Sequence, residues 1–351
     1  MLETIGYANA AALVGLCGGV LLGLAARFGR FCTLGAIEDW LYGHDDTRMR
    51  MWAVAIGVAV IGSFALVGLG AFDAGQSAYL AQAWNPLASI VGGLIFGYGM
   101  AIAGNCGYGA LARLGGGDLR SFVIVLVMGL SALITLSGPL AWLRVAVFPE
   151  PAATGTPPGI AHGLGALTGV SPVIFGLGLG GLILAFALRS PLLRAAPAAI
   201  AWGTVVGLSV VLAWAGTQWL AIESFAETPV QSHTFTAPVG ATMLYAMTAS
   251  GNELTFGIGS VVGVLIGAFI GSLIKGHFRW EACEDPRELR RQILGAALMG
   301  VGAVVALGCS IGQGLSAFSV LAWSAPVTFA AILAGAALGL RQLITGFQPA
   351  E

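Results

Sequence analysis

Residues 91–109 read VGGLIFGYGMAIAGNCGYG, a helix-length apolar stretch that ends in a break rich in glycine and containing a cysteine. A second stretch, residues 294–312, reads LGAALMGVGAVVALGCSIG and matches the first at a constant offset. The matched pairs are Gly92 with Gly295, Gly97 with Gly300, Gly99 with Gly302, Ala103 with Ala306, Cys106 with Cys309 and Gly109 with Gly312. Glycine and alanine are common in this chain, but cysteine is rare, so the shared cysteine favours an internal repeat.

The composition of the whole chain is typical of a polytopic helical membrane protein. Of its 351 residues, 57% are apolar and 9% are charged, against about 25% charged residues in soluble domains. Mean hydropathy is +0.90, and several uncharged runs exceed the roughly 20 residues that cross a bilayer. This composition excludes a cytosolic enzyme, a nucleic-acid-binding protein, a disordered chain and a secreted disulfide-rich protein. Because the first basic residue, Arg27, follows the first apolar run, we expect a retained helix rather than a signal peptide.

The apolar runs predict an all-α protein with about nine transmembrane helices. Their predicted bounds are 10–28, 50–71, 86–104, 121–143, 171–189, 198–221, 254–274, 292–308 and 325–342. Segments 72–85, 145–170 and 222–250 lack Lys and Arg, whereas the alternate loops are basic. The positive-inside rule then places the N-terminus outside and the C-terminus in the cytosol. Only Arg144 departs from this pattern, at a position where a long side chain can reach the interface.

In this topology the helix ending near residue 104 runs inward and the helix ending near 308 runs outward, so the repeat is inverted. We therefore predict a first membrane repeat over 1–150, an external loop and connecting helix over 151–197, and a second repeat over 198–351. Each repeat would hold four helices and two re-entrant half-helices. The predicted re-entrant segments are 30–43, 105–119, 235–250 and 309–323; surface loops are the alternative. Inverted repeats commonly place a transport site between the halves, and irregular backbone at membrane depth must line protein or a cavity.

Three of the five cysteines share a local pattern. Cys32, Cys106 and Cys309 each open a predicted re-entrant segment, and each is followed by glycine three residues later. Cys17 lies within the first helix and Cys283 in a charged cytosolic loop, and neither has this glycine. A buried cysteine can behave simply as a small apolar residue, which is our interpretation of Cys17, and we expect Cys283 to be a reduced surface thiol.

The sequence predicts neither a metal nor a cofactor. Metal sites need ligands in groups, as in Cys-x-x-Cys pairs, and no such pair exists here. The four histidines fall in predicted loops: His44, His162, His233 and His277. A redox relay would also need closely spaced thiols, so a thiol-based membrane redox protein is the weaker alternative to a transporter.

The cysteine motifs resemble those of the YeeE/YedE family of bacterial membrane proteins. The matching segments are Gly29-Arg30-Phe31-Cys32, Gly104-Asn105-Cys106-Gly107-Tyr108-Gly109 and Gly308-Cys309-Ser310-Ile311-Gly312-Gln313-Gly314. The resemblance implies an hourglass-shaped inner-membrane transporter for thiosulfate uptake, in which Cys32, Cys106 and Cys309 pass the ion through a central neck by hydrogen bonds. It implies contact with membrane lipids and, in some members, a cytosolic TusA-like (TsuB-type) sulfurtransferase partner. Other members are linked to selenium or different reduced sulfur species, which leaves another substrate as the alternative.

The chemistry of an anion path fits these residues. Removing water from a dianion is very costly unless other groups replace it, and the predicted helices contain almost no Lys or Arg away from their ends. Half-helix N-termini can supply free N–H groups and partial positive charge, and neutral thiols can supply weak donors. We also predict substrate-binding roles for polar residues near the cysteines, with capping of the half-helices as the equal alternative. These residues are Asn105, Tyr108, Ser310, Gln313 and Thr33.

Overall fold

The computed structural model describes residues 6–151, 157–282 and 285–346, which are helical apart from loops and two isolated β-bridges. The main helices are α1 (Tyr7–Phe28), α2 (Thr33–Leu41), α3 (Thr47–Gly68), α4 (Pro86–Ala103), α5 (Gly107–Gly115), α6 (Leu119–Leu136), α7 (Pro172–Leu188), α8 (Pro197–Glu223), α9 (Thr236–Thr248), α10 (Phe256–Ile274), α11 (Pro286–Val305) and α12 (Ser324–Thr345). Shorter helices cover Ala78–Ala81, Ala141–Val147, Ile160–Thr168 and Pro191–Arg194, with 3-10 turns at Ala74–Gln76 and Ala249–Gly251. A π-helical segment, Gly312–Ala317, lies between α11 and α12.

The helices confirm a polytopic all-α membrane protein. Among the residues that the structure describes, seven helical stretches are long and apolar enough to cross a bilayer: Tyr7–Leu41, Thr47–Gly68, Pro86–Gly115, Leu119–Leu136, Pro197–Glu223, Phe256–Ile274 and Ser324–Ile344. The predicted fifth and eighth spans correspond to α7 and α11. At 17 residues α7 is slightly shorter, and α11 has charged residues in its first turns. Each predicted span therefore corresponds to an observed helix.

Some predicted boundaries were wrong. Helix α11 begins at Pro286 rather than 292, because the Asp285 side chain accepts a hydrogen bond from the Arg287 amide, which caps the helix. Helix α6 ends at Leu136 rather than 143, and the chain turns before the separate helix Ala141–Val147. The predicted external loop also contains the helix Ile160–Thr168, so His162 is helical.

Helices α4 and α11 pack antiparallel through glycine. A Cβ atom on Gly92 would lie 2.8 Å from the carbonyl oxygen of Gly302, and one on Gly99 would lie 2.6 Å from that of Gly295. In the sequence repeat, Gly92 corresponds to Gly295 and Gly99 to Gly302. Gly92 thus faces Gly302, the repeat equivalent of Gly99, and Gly99 faces Gly295, the repeat equivalent of Gly92. Two helices related by a two-fold axis make contacts of this reciprocal kind.

Two further pairs of helices connect the sequence halves. Helix α1 packs in parallel against α10, with Gly19 against Ser260 and Gly263, and α3 packs in parallel against α8, with Gly207 against Ala55. Inside a bilayer no hydrophobic effect drives helices together, so helix packing relies on small residues that let the backbones approach closely. Helices from the first half of the sequence therefore lie beside helices from the second half. This packing brings the chain breaks of the two halves close to one another.

Candidate functional site

The N-terminal ends of the short helices meet in the interior. The Thr33 hydroxyl at the start of α2 donates to the sulfur of Cys106 at the start of α5, at 4.0 Å. The Phe235 amide, just before α9, donates to the sulfur of Cys309, just before the π-helical segment, at 3.4 Å. Cys106 also lies near enough to Cys32 and Cys309 to interact electrostatically with both. Four helix N-termini, each with a partial positive charge, thus surround one region, which we call the thiol cluster.

Cys106 caps α5 with its sulfur. Its side chain is fully buried, and the sulfur accepts a hydrogen bond from the Gly109 amide at 3.4 Å. The chain leaves α4 through Gly104, whose φ of +81° is the left-handed conformation that favours glycine. This glycine therefore allows the break that brings Cys106 into the interior.

Cys309 has a matching environment on the other half. Its sulfur, 1% exposed, accepts hydrogen bonds from the amides of Gly312 at 3.5 Å and Phe235 at 3.4 Å. The Thr234 hydroxyl lies 3.6 Å from the same sulfur. The Cys-x-x-Gly spacing thus has a structural meaning at Cys106 and Cys309, since each sulfur accepts a hydrogen bond from the glycine amide three residues later.

Cys32 differs from the other two cysteines. It is partly exposed and precedes α2, but its side chain makes no capping hydrogen bond. Its glycine, Gly35, instead makes room for the guanidinium of Arg48, which a Cβ atom would overlap. The Arg48 side chain is in turn held by an ion pair with Asp39 at 2.6 Å. The shared motif therefore reflects two different local structures.

Aromatic rings form one wall of the thiol cluster. The Tyr108 ring packs against Phe31 and Phe235, with centroid distances of 6.4 and 5.5 Å. Its hydroxyl donates to the backbone oxygen of Leu22 at 2.6 Å. Tyr108 is therefore anchored to α1, and it presents its ring rather than its hydroxyl to the neighbouring residues.

Three predicted polar residues keep unpaired side-chain atoms in the interior. The Asn105 side-chain oxygen and the Ser310 hydroxyl are buried without a hydrogen-bond partner, although Ser310 faces the Cys106 thiol. An unsatisfied buried polar group costs about 1–3 kcal/mol, so such atoms mark places where a ligand or water would be stabilising. Gln313 differs, because its amide donates to the backbone oxygens of Ala306 at 2.8 Å and Leu307 at 3.2 Å. Its side chain caps the end of α11, with one oxygen left unpaired.

Sequence reasoning missed three contributors to the site: Thr234, the Phe235 amide and Tyr79. The Tyr79 hydroxyl lies close to Gly312, and a cavity of about 30 Å³ beside it extends to Gln313 and Ser324. None of these positions carries a motif, since their role depends on which loops meet. Cys17 faces outward on α1, and Cys283 lies outside the described residues. Within the described ranges, no group of three His, Cys, Asp or Glu residues is arranged to hold a metal ion.

The chain is similar to known transport proteins over most of its length. Residues 28–338 match the family model described as sulphur transport. The chain is 28% identical over 338 residues to the thiosulfate transporter TsuA of Escherichia coli (strain K12), covering 89% of this chain and 88% of that protein. It is 26% identical over 330 residues to TsuA of Spirochaeta thermophila, covering 90% and 94%. Together with the multi-pass helical fold, this match confirms the resemblance found in the cysteine motifs, and the chain belongs to the sulphur transport (YeeE/YedE) family.

Proposed function

We propose that the protein takes up thiosulfate across a bacterial inner membrane, with its N-terminus outside and its C-terminus in the cytosol. The names of the two relatives support the substrate, and the distribution of basic residues supports the orientation. The observation that carries the proposal is the position of Cys32, Cys106 and Cys309 where four helix N-termini meet.

The hydrogen bonds at the thiols suit a weak, transient anion site. Backbone amides donate to the sulfurs of Cys106 and Cys309, so the lone pairs of each sulfur are engaged and its S–H bond is available for donation. Helix N-termini offset part of the cost of removing water from a dianion. Thiols are weak donors, and conduction requires sites weak enough to release the ion.

The environments of the thiols favour an order along the path. Cys309 lies near Tyr79. Tyr79 belongs to segment 72–85 before α4, which the pattern of basic residues places on the outer side of the membrane. Cys106 is near enough to interact with both other cysteines, and Cys32 is the partly exposed member of the set. In our proposal thiosulfate meets Cys309 first, then Cys106, and leaves past Cys32. The Ser310 hydroxyl offers an additional donor at the central step, whereas the unpaired Asn105 oxygen can accept only from water or a neighbouring donor. The Tyr108 ring restricts the width of the path.

Growth on thiosulfate as the sole sulfur source tests this function. In a bacterium that lacks its own sulfate and thiosulfate uptake, the wild-type chain and Cys17→Ala should restore growth. Cys106→Ala and Cys309→Ala should not, although both proteins should reach the membrane in wild-type amounts. Normal growth with both substitutions present would contradict the thiol path.

The alternatives make different predictions. If another sulfur or selenium species is the substrate, it should compete with labelled thiosulfate more strongly than unlabelled thiosulfate does. A thiol-based redox protein should form a disulfide among the three cysteines in one of its states, which thiol labelling with and without reductant would detect. A cytosolic TusA-like sulfurtransferase partner is part of our proposal, and deleting it from the host should lower growth without changing uptake into vesicles.

A further inference from the structure

A second polar cavity lies away from the thiol cluster, where α1, α5 and the loop after α10 come together. It has a volume of about 190 Å³ and is lined by four arginines, two carboxylates and a histidine. The charged residues are Arg27, Arg113, Arg120, Arg279, Asp118 and Glu281, with His277 beside them. The loop is fixed against the turn between α5 and α6 by backbone hydrogen bonds from the Glu281 amide to the Gly117 oxygen and from the Leu119 amide to the Glu281 oxygen.

The carboxylates of this cavity are already paired. Asp118 accepts from Arg120 at 3.2 Å, and Glu281 accepts from Arg279 at 2.9 Å with Arg120 at 3.7 Å. Within the described residues, Arg27 and Arg113 form no ion pair. The two guanidiniums repel each other, while Asp118 and Glu281 attract Arg27 from beyond ion-pair distance. Glu38 likewise attracts Arg113 without forming an ion pair with it, so among the described residues no carboxylate contacts either guanidinium directly.

Arg27 is held in place by its surroundings. Its guanidinium lies directly over Gly116, where a Cβ atom would overlap it, and its Nε atom is buried without a hydrogen-bond partner. Its backbone oxygen accepts a hydrogen bond from Lys275 at 2.8 Å. Arg113 is more exposed and lies in the last turn of α5. One cation is therefore fixed in the wall and the other can approach from solvent.

The cavity lies along the same helix as the central thiol. Cys106 is at the start of α5 and Arg113 in its last turn, a separation of about 10 Å at 1.5 Å per residue. Arg27 is in the last turn of α1, the helix that anchors Tyr108. This end of the molecule carries the basic loops, so an anion leaving the thiols toward the cytosol would encounter Arg27 and Arg113.

We propose that Arg27 and Arg113 form a binding site for a tetrahedral oxyanion, separate from the thiol cluster. Guanidinium groups suit such ligands because they donate paired hydrogen bonds to anionic oxygens. The assignment of this oxyanion to the transported ion rests on the proposed function. The phosphate of a lipid headgroup has the same chemistry and is the other source of ligand.

Sulfate binding to the purified full-length protein tests the site, because sulfate lacks the terminal sulfur of thiosulfate. Titrations should compare the wild type with Arg113→Gln and Gly116→Ala, the latter displacing the Arg27 guanidinium without removing its charge. Arg194→Gln, an exposed cation outside the cavity, is the matched control. A Cys106→Ala/Cys309→Ala variant separates this site from the thiols.

We expect sulfate to bind the wild type, the cysteine variant and Arg194→Gln equally, and to bind more weakly at higher ionic strength. Arg113→Gln and Gly116→Ala should each bind roughly tenfold more weakly, as the loss of a charged hydrogen bond predicts. Equal sulfate binding by both of these variants and the wild type would overturn the site. A failure of thiosulfate uptake with sulfate binding intact would instead reject the proposed function alone.

Lipid composition distinguishes the two sources of ligand. In maltoside micelles, which contain no phosphate, added phosphatidylcholine supplies a headgroup phosphate without a net surface charge. Sulfate should bind with the same affinity with and without this lipid if the site serves a free ion, whereas loss of sulfate binding on adding the lipid would assign the site to a lipid phosphate. That result would overturn its role for the transported ion.

Discussion

The backbone amide of Phe235 donates a hydrogen bond to the sulfur of Cys309 across 3.4 Å. The two residues belong to different breaks in the fold, one before α9 and one before the π-helical segment. The conformation of the Cys309 thiol is therefore set partly by a neighbouring loop as well as by its own motif. Side chains in that loop should influence transport although they carry no sulfur.

Thr234 provides the first prediction. Replacing Thr234 by Val removes the hydroxyl that lies 3.6 Å from the Cys309 sulfur while keeping a similar shape. A hydrogen bond of this kind contributes about 0.5–1.5 kcal/mol, so thiosulfate uptake should fall roughly two- to tenfold. Initial uptake rates measured in vesicles at matched protein levels test this expectation.

Thr248 is the matched control for that substitution. It lies exposed at the end of α9, and its hydroxyl bonds to the backbone oxygen of Leu244 rather than to a thiol. Thr248→Val should therefore leave the uptake rate unchanged. If Thr234→Val and Thr248→Val behave alike, the hydroxyl beside Cys309 has no role in transport.

Glycine packing between α4 and α11 provides a prediction about stability. In Gly99→Ala the new methyl group would lie 2.6 Å from the Gly295 carbonyl oxygen and 2.8 Å from the Met299 amide nitrogen. These are backbone atoms, so the helices must move apart, at a cost of about 1–3 kcal/mol. Thermal unfolding of the purified protein should show a lower midpoint for Gly99→Ala.

Gly178 on α7 is the control, because nothing lies within 4 Å of a Cβ atom placed there. Gly178→Ala should leave the unfolding midpoint unchanged or raise it, since alanine favours a helix over glycine. If the unfolding midpoint of Gly99→Ala is as high as that of Gly178→Ala, α4 and α11 do not pack closely at Gly99 and Gly295.

The environment of His162 should make the stability of the folded protein depend on pH. Partial burial lowers the pKa of His162 below its usual value, and this effect exceeds the opposing attraction of Asp73. The neutral form is therefore favoured in the folded protein, and the stabilisation is complete above the unfolded pKa of about 6.5. As the pH falls below that value, the unfolded chain binds the proton more readily and stability is lost.

Comparing His162→Gln with the wild type between pH 7.5 and 5.5 isolates this contribution. The midpoint of thermal unfolding should fall less on acidification in His162→Gln, because glutamine does not titrate. An equal fall in the two proteins would assign the acid sensitivity to other groups.

The helical fold and the central thiols could be predicted from sequence because both depend on local signals. Apolar runs of sufficient length gave the spans, and the paired motifs around Cys106 and Cys309 indicated the two breaks. Helix ends were less predictable, as at Pro286, where the cap formed by Asp285 starts α11 before the apolar run begins.

The other parts of the candidate sites depend on contacts between distant segments. Nothing in the sequence near Phe235 indicates that its amide meets Cys309, and nothing near Arg27 indicates that its guanidinium lies over Gly116. Tyr108 and Gln313 were identified by their neighbours in the motif, yet their polar groups bond to the backbone. Only the arrangement of helices from both halves shows which atoms remain available to a ligand.

Uptake of radiolabelled thiosulfate into proteoliposomes tests the central claim most directly, because the purified chain is then the only protein present. We predict that the wild type and Cys17→Ala transport thiosulfate at the same initial rate. We predict at least a roughly tenfold lower rate for Cys106→Ala and for Cys309→Ala, from the loss of one hydrogen bond to a charged ligand. A wild-type rate for the variant that lacks both thiols would contradict transport through the thiols.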